Sequence, residues 1–193
     1  MKKSIPIIAA IIFSPTLHAG NDLGEFGTWL EDRTGIQDIT KPLRQISQEI
    51  RVETVGPVLA SYIYQSRNDA LQASTNPIPD NIKAELRGFF PETLLNKVRY
   101  RNGQGNDLSP QANSFKLAGT YAITLGHVIV FKDQKHSSNN AEMWAHELAH
   151  VQQYDRWGIT DFAKKYVRDH IEVEREADNM QRKYVAWKQS PNC

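Results

Sequence analysis

The stretch that most constrains this chain is EMWAHELAHVQQY, residues 142–154, which spaces two histidines around a glutamate as His146-Glu147-Leu148-Ala149-His150. On an α-helix, positions i and i+4 share a face, so both imidazoles can be aimed at one cation. Glu147 sits beside the first histidine, where its carboxylate can hold water activated by Zn2+ and take its proton. The pattern predicts a helix carrying His146 and His150 as zinc ligands and Glu147 as general base. The plain alternative is a surface helix with two solvated histidines.

The surroundings favour a packed helix. Asn139 and Glu142 make an N-x-x-E start resembling a capping box, no proline interrupts 140–157, and Gly158 is a natural stop. Trp144, Leu148, Val151 and Tyr154 supply an apolar side for a core.

A catalytic zinc site usually takes three protein ligands and keeps one position open. Downstream, Glu174-Arg175-Glu176-Ala177-Asp178 puts Glu174 and Asp178 on one face of a second helix. Glu174 can complete a His-His-Glu set, and Asp178 can accept the second N–H of a ligand histidine. The same residues could instead form a solvated acidic turn paired with Arg175 and Arg182. Before the histidine helix, residues 121–131 read as two short apolar β runs around Gly126. An extended edge there could hold a peptide by backbone pairing, or could be an ordinary core hairpin.

H-E-x-x-H followed by E-x-x-A-D resembles the gluzincin zinc metallopeptidases. More narrowly, AITLGHVIVF, AHELAHVQQY and EREADNM resemble the bacterial metallopeptidase-like domain associated with extracellular contractile injection systems. The resemblance covers roughly residues 77–188 and is strongest at 119–154 and 172–182; residues 21–75 fall outside it. It implies His146, His150 and Glu174 as zinc ligands, Glu147 as catalytic base and Asp178 as the carboxylate behind a ligand histidine. It implies an α+β fold: a mostly helical zincin-like domain, with a small sheet or hairpin before the H-E-x-x-H helix and an N-terminal helical extension. It carries no substrate.

Residues 1–19 read as a secretory leader: Lys2 and Lys3, an apolar run from Ile5 to Phe13, and Leu17-His18-Ala19 as the cleavage site. That run is too short to span a bilayer, and no cysteine follows the cut to carry a lipid. The expectation is a periplasmic or secreted protein with no stable membrane anchor after cleavage. Removing the leader's two lysines leaves 21 basic residues of 23 against 22 acidic ones, a net charge of −1. That balance argues against a general nucleic-acid binder, which needs a basic surplus. The lone Cys193 allows no internal disulfide and reads as a solvated tail thiol.

Three regions follow: the leader at 1–19, a helical extension at 20–76 and a zincin-like domain at 77–193. In the extension, Phe26, Trp29 and Leu30 could dock on something larger. Thr40 caps a helix with Pro42 in its first turn, and Leu43, Ile46, Ile50 and Val55 keep helical spacing. Gly56-Pro57 is expected to end or kink it before a second helix at 58–73 carrying Leu59, Tyr62, Ile63, Ala70 and Leu71. The pair reads as a hairpin packed on the rest, or as a removable or docking segment.

Residues 74–80 read as a proline-bearing linker, with Asp80 capping a helix at 81–88. Another helix is expected at 92–97, a short strand at 98–101 closed by Asn102-Gly103, and a polar loop at 102–114. After the zinc helix, further helices are expected at 161–170, with Phe162, Tyr166 and Val167 inward, and at 172–188, with Met180, Tyr184 and Trp187 in the core. Tyr166, His170 and His127 are candidate donors to an oxyanion, and His136 reads as solvated in a polar loop. The composite expectation is a zinc-dependent peptidase acting on a peptide or protein. The alternative is an inactive, zinc-stabilised binding or scaffold protein.

Overall fold

The computed structural model describes residues 48–103 and 121–190. The expectations for the leader at 1–19, for Phe26, Trp29 and Leu30, for the Thr40 helix start with Leu43 and Ile46, for most of the loop at 102–114, and for Cys193 fall outside those residues.

The two runs around Gly126 are apolar at nearly every position, which suits strands covered on both faces. They form β3 (Ala122–Leu125) and β4 (Val128–Phe131), an antiparallel pair turned by Gly126 (φ 68°) and His127. β4 also pairs in parallel with β2 (Arg99–Asn102), which pairs antiparallel with β1 (Asn76–Pro77), giving the order β1-β2-β4-β3. Among the described residues β3 is therefore an edge strand. Pro77 is tolerated because β1 is the opposite edge. Residues 76–77 of the expected linker thus belong to the sheet, and Ile78 beside them is buried.

Helices cover both faces of the sheet. Alternate side chains Ile123, Leu125, Val128 and Val130 pack with α1 (Gln48–Gln72) and with residues 154–173 of the last helix. Ala122, Ile129 and Phe131 pack with α2 (Asp80–Leu86), α3 (Glu92–Lys97) and the helix carrying the histidines. The short α4 (Gln134–Ser138) leads into that final helix, α5 (Ala141–Lys188). The fold is α+β, mostly helical, with a small four-stranded sheet.

α5 is three rods, 141–157, 159–168 and 170–188. Gly158 (φ 71°, ψ 169°) makes the first joint, in a conformation essentially restricted to glycine. Asp169 makes the second: its backbone is extended, and its carboxylate accepts the Glu172 N–H at 3.0 Å, capping the third rod. The chain doubles back so that the third rod lies beside the first. The first rod opens on Asn140, whose side chain accepts the Met143 N–H at 2.9 Å. The cap is therefore one residue later than expected, because Asn139 is used to end α4. Trp144 anchors the rod in the core, fully buried between Tyr100 and Phe131, its indole N–H donating to the Ser137 carbonyl at 2.8 Å.

Other local expectations need correction. Gly56-Pro57 does not end α1, which runs through it as one helix. Proline removes one backbone donor, but Glu53 and Pro57 both face water, so the carbonyl left over can be solvated. Gly56 faces inward at a close crossing: a Cβ there would lie 2.7 Å from Lys164 Cγ and 3.2 Å from its Cα. α1 is further tied to the middle rod by Gln48 Nε2 donating to the Arg168 carbonyl at 3.0 Å and by Lys164–Glu53 at 2.6 Å. Ile50 and Leu71 are exposed; the packed stripe is Val52, Leu59, Ala60, Ile63 and Ala70. Asp80 lies in the first turn of α2, which starts after Pro79 without a side-chain cap. His136 belongs to α4, partly buried, bonded to Asp133 at 2.7 Å and stacked on Tyr121. Among the described residues, no helix is long and apolar enough to cross a membrane.

Candidate metal centre

The first rod presents His146 and His150 one turn apart, and the third rod presents Glu174 opposite them. His146 Nε2 lies 3.2 Å from His150 Nε2, and Glu174 Oε2 lies 3.3 Å from the first and 3.4 Å from the second. His150 is sealed, whereas His146 and Glu174 keep 16% and 20% of their side-chain surface, so the cluster is reached from their side.

The donor set fits a small tetrahedral cation. Bonds of about 2.0–2.1 Å to a tetrahedral zinc require neighbouring donors about 3.3–3.4 Å apart, which is the spacing of these three atoms. Two imidazole nitrogens and a carboxylate oxygen also suit zinc chemically.

Each of these side chains is held from behind. His146 Nδ1 donates to Asp178 Oδ1 at 3.1 Å. His150 Nδ1 bonds to Gln153 Oε1 at 2.8 Å. Tyr166 donates its hydroxyl to Glu174 Oε1 at 3.1 Å, leaving Oε2 to face the histidines. Such partners set ring orientation and tautomer and raise ligand basicity. Arg175 and Arg182 bond instead to Glu172 and Asn179, so the alternative pairing of Glu174 and Asp178 with these arginines is not formed.

The electrostatics follow from this packing. Burial disfavours charge on His146, yet hydrogen bonds to Asp178 and Glu174 and the nearby Glu147 carboxylate push its pKa up to about 10. His150 is also raised; burial opposes its charge and Glu174 favours it. Burial works against the Glu174 carboxylate too, but the two imidazoles hold it far below the usual carboxylate range. Imidazoles and carboxylates thus stabilise one another's charge across the cluster. Tyr166 is raised well above the ordinary phenol value, first by burial and then by Glu174, so it remains a donor.

Glu147 points towards the sheet. It is 4% exposed, and its Oε2 accepts the Thr124 hydroxyl at 2.6 Å from the edge strand. Tyr154, stacked on Phe162, steadies that strand by donating to the Thr124 carbonyl at 3.2 Å.

Of the candidate oxyanion donors, Tyr166 is committed to Glu174. His127 lies on the β3–β4 turn, bonded to Asp155 at 2.9 Å. His170 lies beside Tyr166, ring centres 5.9 Å apart. Sequence reasoning passed over Gln153 and Thr124. Gln153 did leave a signal, since its place three positions after His150 and seven after His146 puts it on the histidine face of the helix.

A family model, described as the eCIS core domain, matches residues 77–158. The match takes in the sheet and the first rod, with His146, Glu147 and His150, and stops at Gly158, before Glu174 and Asp178. No curated protein and no solved structure matches the chain.

Proposed function

We propose that this protein is a zinc-dependent peptidase of gluzincin type, in which His146, His150 and Glu174 hold the metal. The observation that carries the reading is the convergence of their three donor atoms at tetrahedral spacing, beside a buried glutamate on the same helix. When bound, zinc supplies Lewis acidity that makes water nucleophilic near neutral pH and polarises a carbonyl.

The chain's own groups do the rest. Glu147 takes the proton from the attacking water and returns it to the leaving amine. Thr124 holds the carboxylate towards the edge strand, where an extended substrate could pair with β3. Asp178, Gln153 and Tyr166 keep the donors aimed while substrate enters and leaves. The sequence of residues 1–19, read as a secretory leader, supports placing this activity in the periplasm or outside the cell.

The test is metal analysis of the purified protein together with peptide-library cleavage, with and without chelator. One stoichiometric zinc, chelator-sensitive cleavage, and a Glu147→Gln variant that keeps zinc but loses hydrolysis are the expected results. A Glu147→Gln variant as active as wild type would refute the mechanism. Stoichiometric zinc with no cleavage across the library would select the binding or scaffold reading instead.

A further inference from the structure

His150 can serve as a donor through Nε2 only if its proton resides on Nδ1, since a neutral imidazole carries one proton on one nitrogen. The structure shows what decides this. Gln153, fully buried, stands with its amide between three groups. Its Nε2 lies 2.9 Å from the Val173 carbonyl and 3.2 Å from Glu176 Oε2, and its Oε1 lies 2.8 Å from His150 Nδ1.

Both contacts on the nitrogen side are acceptors, so the NH2 must face them. A flipped amide would set its carbonyl oxygen against a carbonyl and a carboxylate and leave the buried amide's hydrogen bonds unmade, which is unfavourable. The oxygen is therefore left facing His150, where it can only accept. A histidine beside an obligate acceptor places its proton there and turns its lone pair the other way, towards His146 and Glu174.

The orientation is enforced from further out. Glu176 is gripped by Arg156, and Val173 belongs to the third rod, which also carries Glu174. One amide thus reads the position of the third rod through the Val173 carbonyl and sets the proton of a histidine on the first.

We propose that Gln153 is the positioning residue that fixes His150 as the Nδ1–H tautomer, making its Nε2 lone pair available to a metal ion. This rests on the zinc reading above. Partners of this kind typically change metal affinity by about 10–100-fold.

The test is a competitive Zn2+ titration of the full chain against a chromophoric chelator, on wild type, Gln153→Leu and Gln153→Glu, with denaturant unfolding in parallel. Leucine keeps the bulk and removes the acceptor, so zinc affinity should fall about 10–100-fold. Glutamate keeps an acceptor oxygen towards His150 but sets a carboxylate against Glu176 and the Val173 carbonyl. It should therefore be the least stable of the three while binding zinc more tightly than Gln153→Leu. A purely structural role would rank affinity and stability together.

15N chemical shifts of the zinc-loaded wild type should show His150 protonated at Nδ1. Wild-type zinc binding with Gln153→Leu equally tight, or with Gln153→Glu no tighter than Gln153→Leu, would overturn the assignment and leave the metal site standing. His150 protonated at Nε2 in the zinc-loaded protein would overturn the assignment and the Nε2 ligand with it. A wild type that takes up no zinc would overturn both.

Discussion

Thr124 and Glu147, twenty-three residues apart, are joined by a 2.6 Å hydrogen bond that links the edge strand of the sheet to the middle of H-E-x-x-H. The hydroxyl donates to a carboxylate that is otherwise buried against the sheet, so the direction of the Glu147 carboxylate is set by a strand as well as by its own helix. Thr124→Val should leave zinc content unchanged and lower kcat about tenfold, the rate equivalent of roughly 1.4 kcal/mol, within the range of a hydrogen bond to a charged group. Thr124→Ser, which keeps the hydroxyl, should stay near wild type. Steady-state kinetics on a peptide substrate compares the two.

Tyr166 and Asp178 can be tested through metal binding alone. Tyr166→Phe removes the donor to Glu174 Oε1 and frees the carboxylate to rotate. Asp178→Ala removes the acceptor behind His146. Each should weaken zinc binding by about 10–100-fold with little change in helix content. Chelator competition and far-ultraviolet circular dichroism provide the readouts.

Removing metal should lower stability, because an ion that binds the folded state and not the unfolded chain adds about 2.7 kcal/mol at a hundredfold excess over Kd. A chelator should therefore lower the Tm of the wild type. It should have no effect on Glu174→Ala, which loses one of the three donors.

Two glycines separate steric crowding from backbone strain. Gly56→Ala drives a methyl to within 2.7 Å of Lys164 Cγ and should cost about 1–3 kcal/mol by overpacking. Gly158→Ala meets nothing within 4 Å, yet its positive φ should cost about 1–3 kcal/mol. A second substitution that shortens Lys164, such as Lys164→Ala, should restore stability to the first variant and not to the second. Urea unfolding of the single and double variants measures this.

Asp155 sets a pH dependence. Partial burial opposes its ionisation, but hydrogen bonds from Lys97 and His127 outweigh this and hold its carboxyl below the usual range. A carboxylate whose folded pKa is depressed stabilises the fold above its unfolded value, about 3.9, and that contribution is lost as pH falls through the folded value. Asp155→Asn should therefore be less stable than wild type at neutral pH, with the difference closing in acid. Urea midpoints between pH 7 and about 3 follow the convergence.

The cluster was legible in the sequence because helical spacing alone puts His146 with His150 and Glu174 with Asp178 on common faces, and two such faces can meet. Gly126 and the apolar runs beside it likewise announced the hairpin, and Gly158 the end of the first rod. Spacing also offered Asp178 as the acceptor behind a ligand histidine; what it could not convey were the contacts made between separate elements. Thr124 meets Glu147, and Gln153 meets Val173, across separate elements, and no periodic pattern records such a contact. The continuity of α1 was hidden for a different reason. Gly-Pro ordinarily stops a helix, and here a packed crossing at Gly56 and the water-facing position of Glu53 and Pro57 let it continue.

The rod between Gly158 and Asp169 holds no residue of the cluster, yet it works as a ruler. Each helical residue contributes about 100° of turn and 1.5 Å of advance. Deleting one residue from that spacer would swing the downstream segment by about that angle and draw it back by about that length, carrying Glu174 off the histidines while every donor remained in the chain. The geometry of the site is thus written partly as a length, in the number of residues between two joints as well as in their identity.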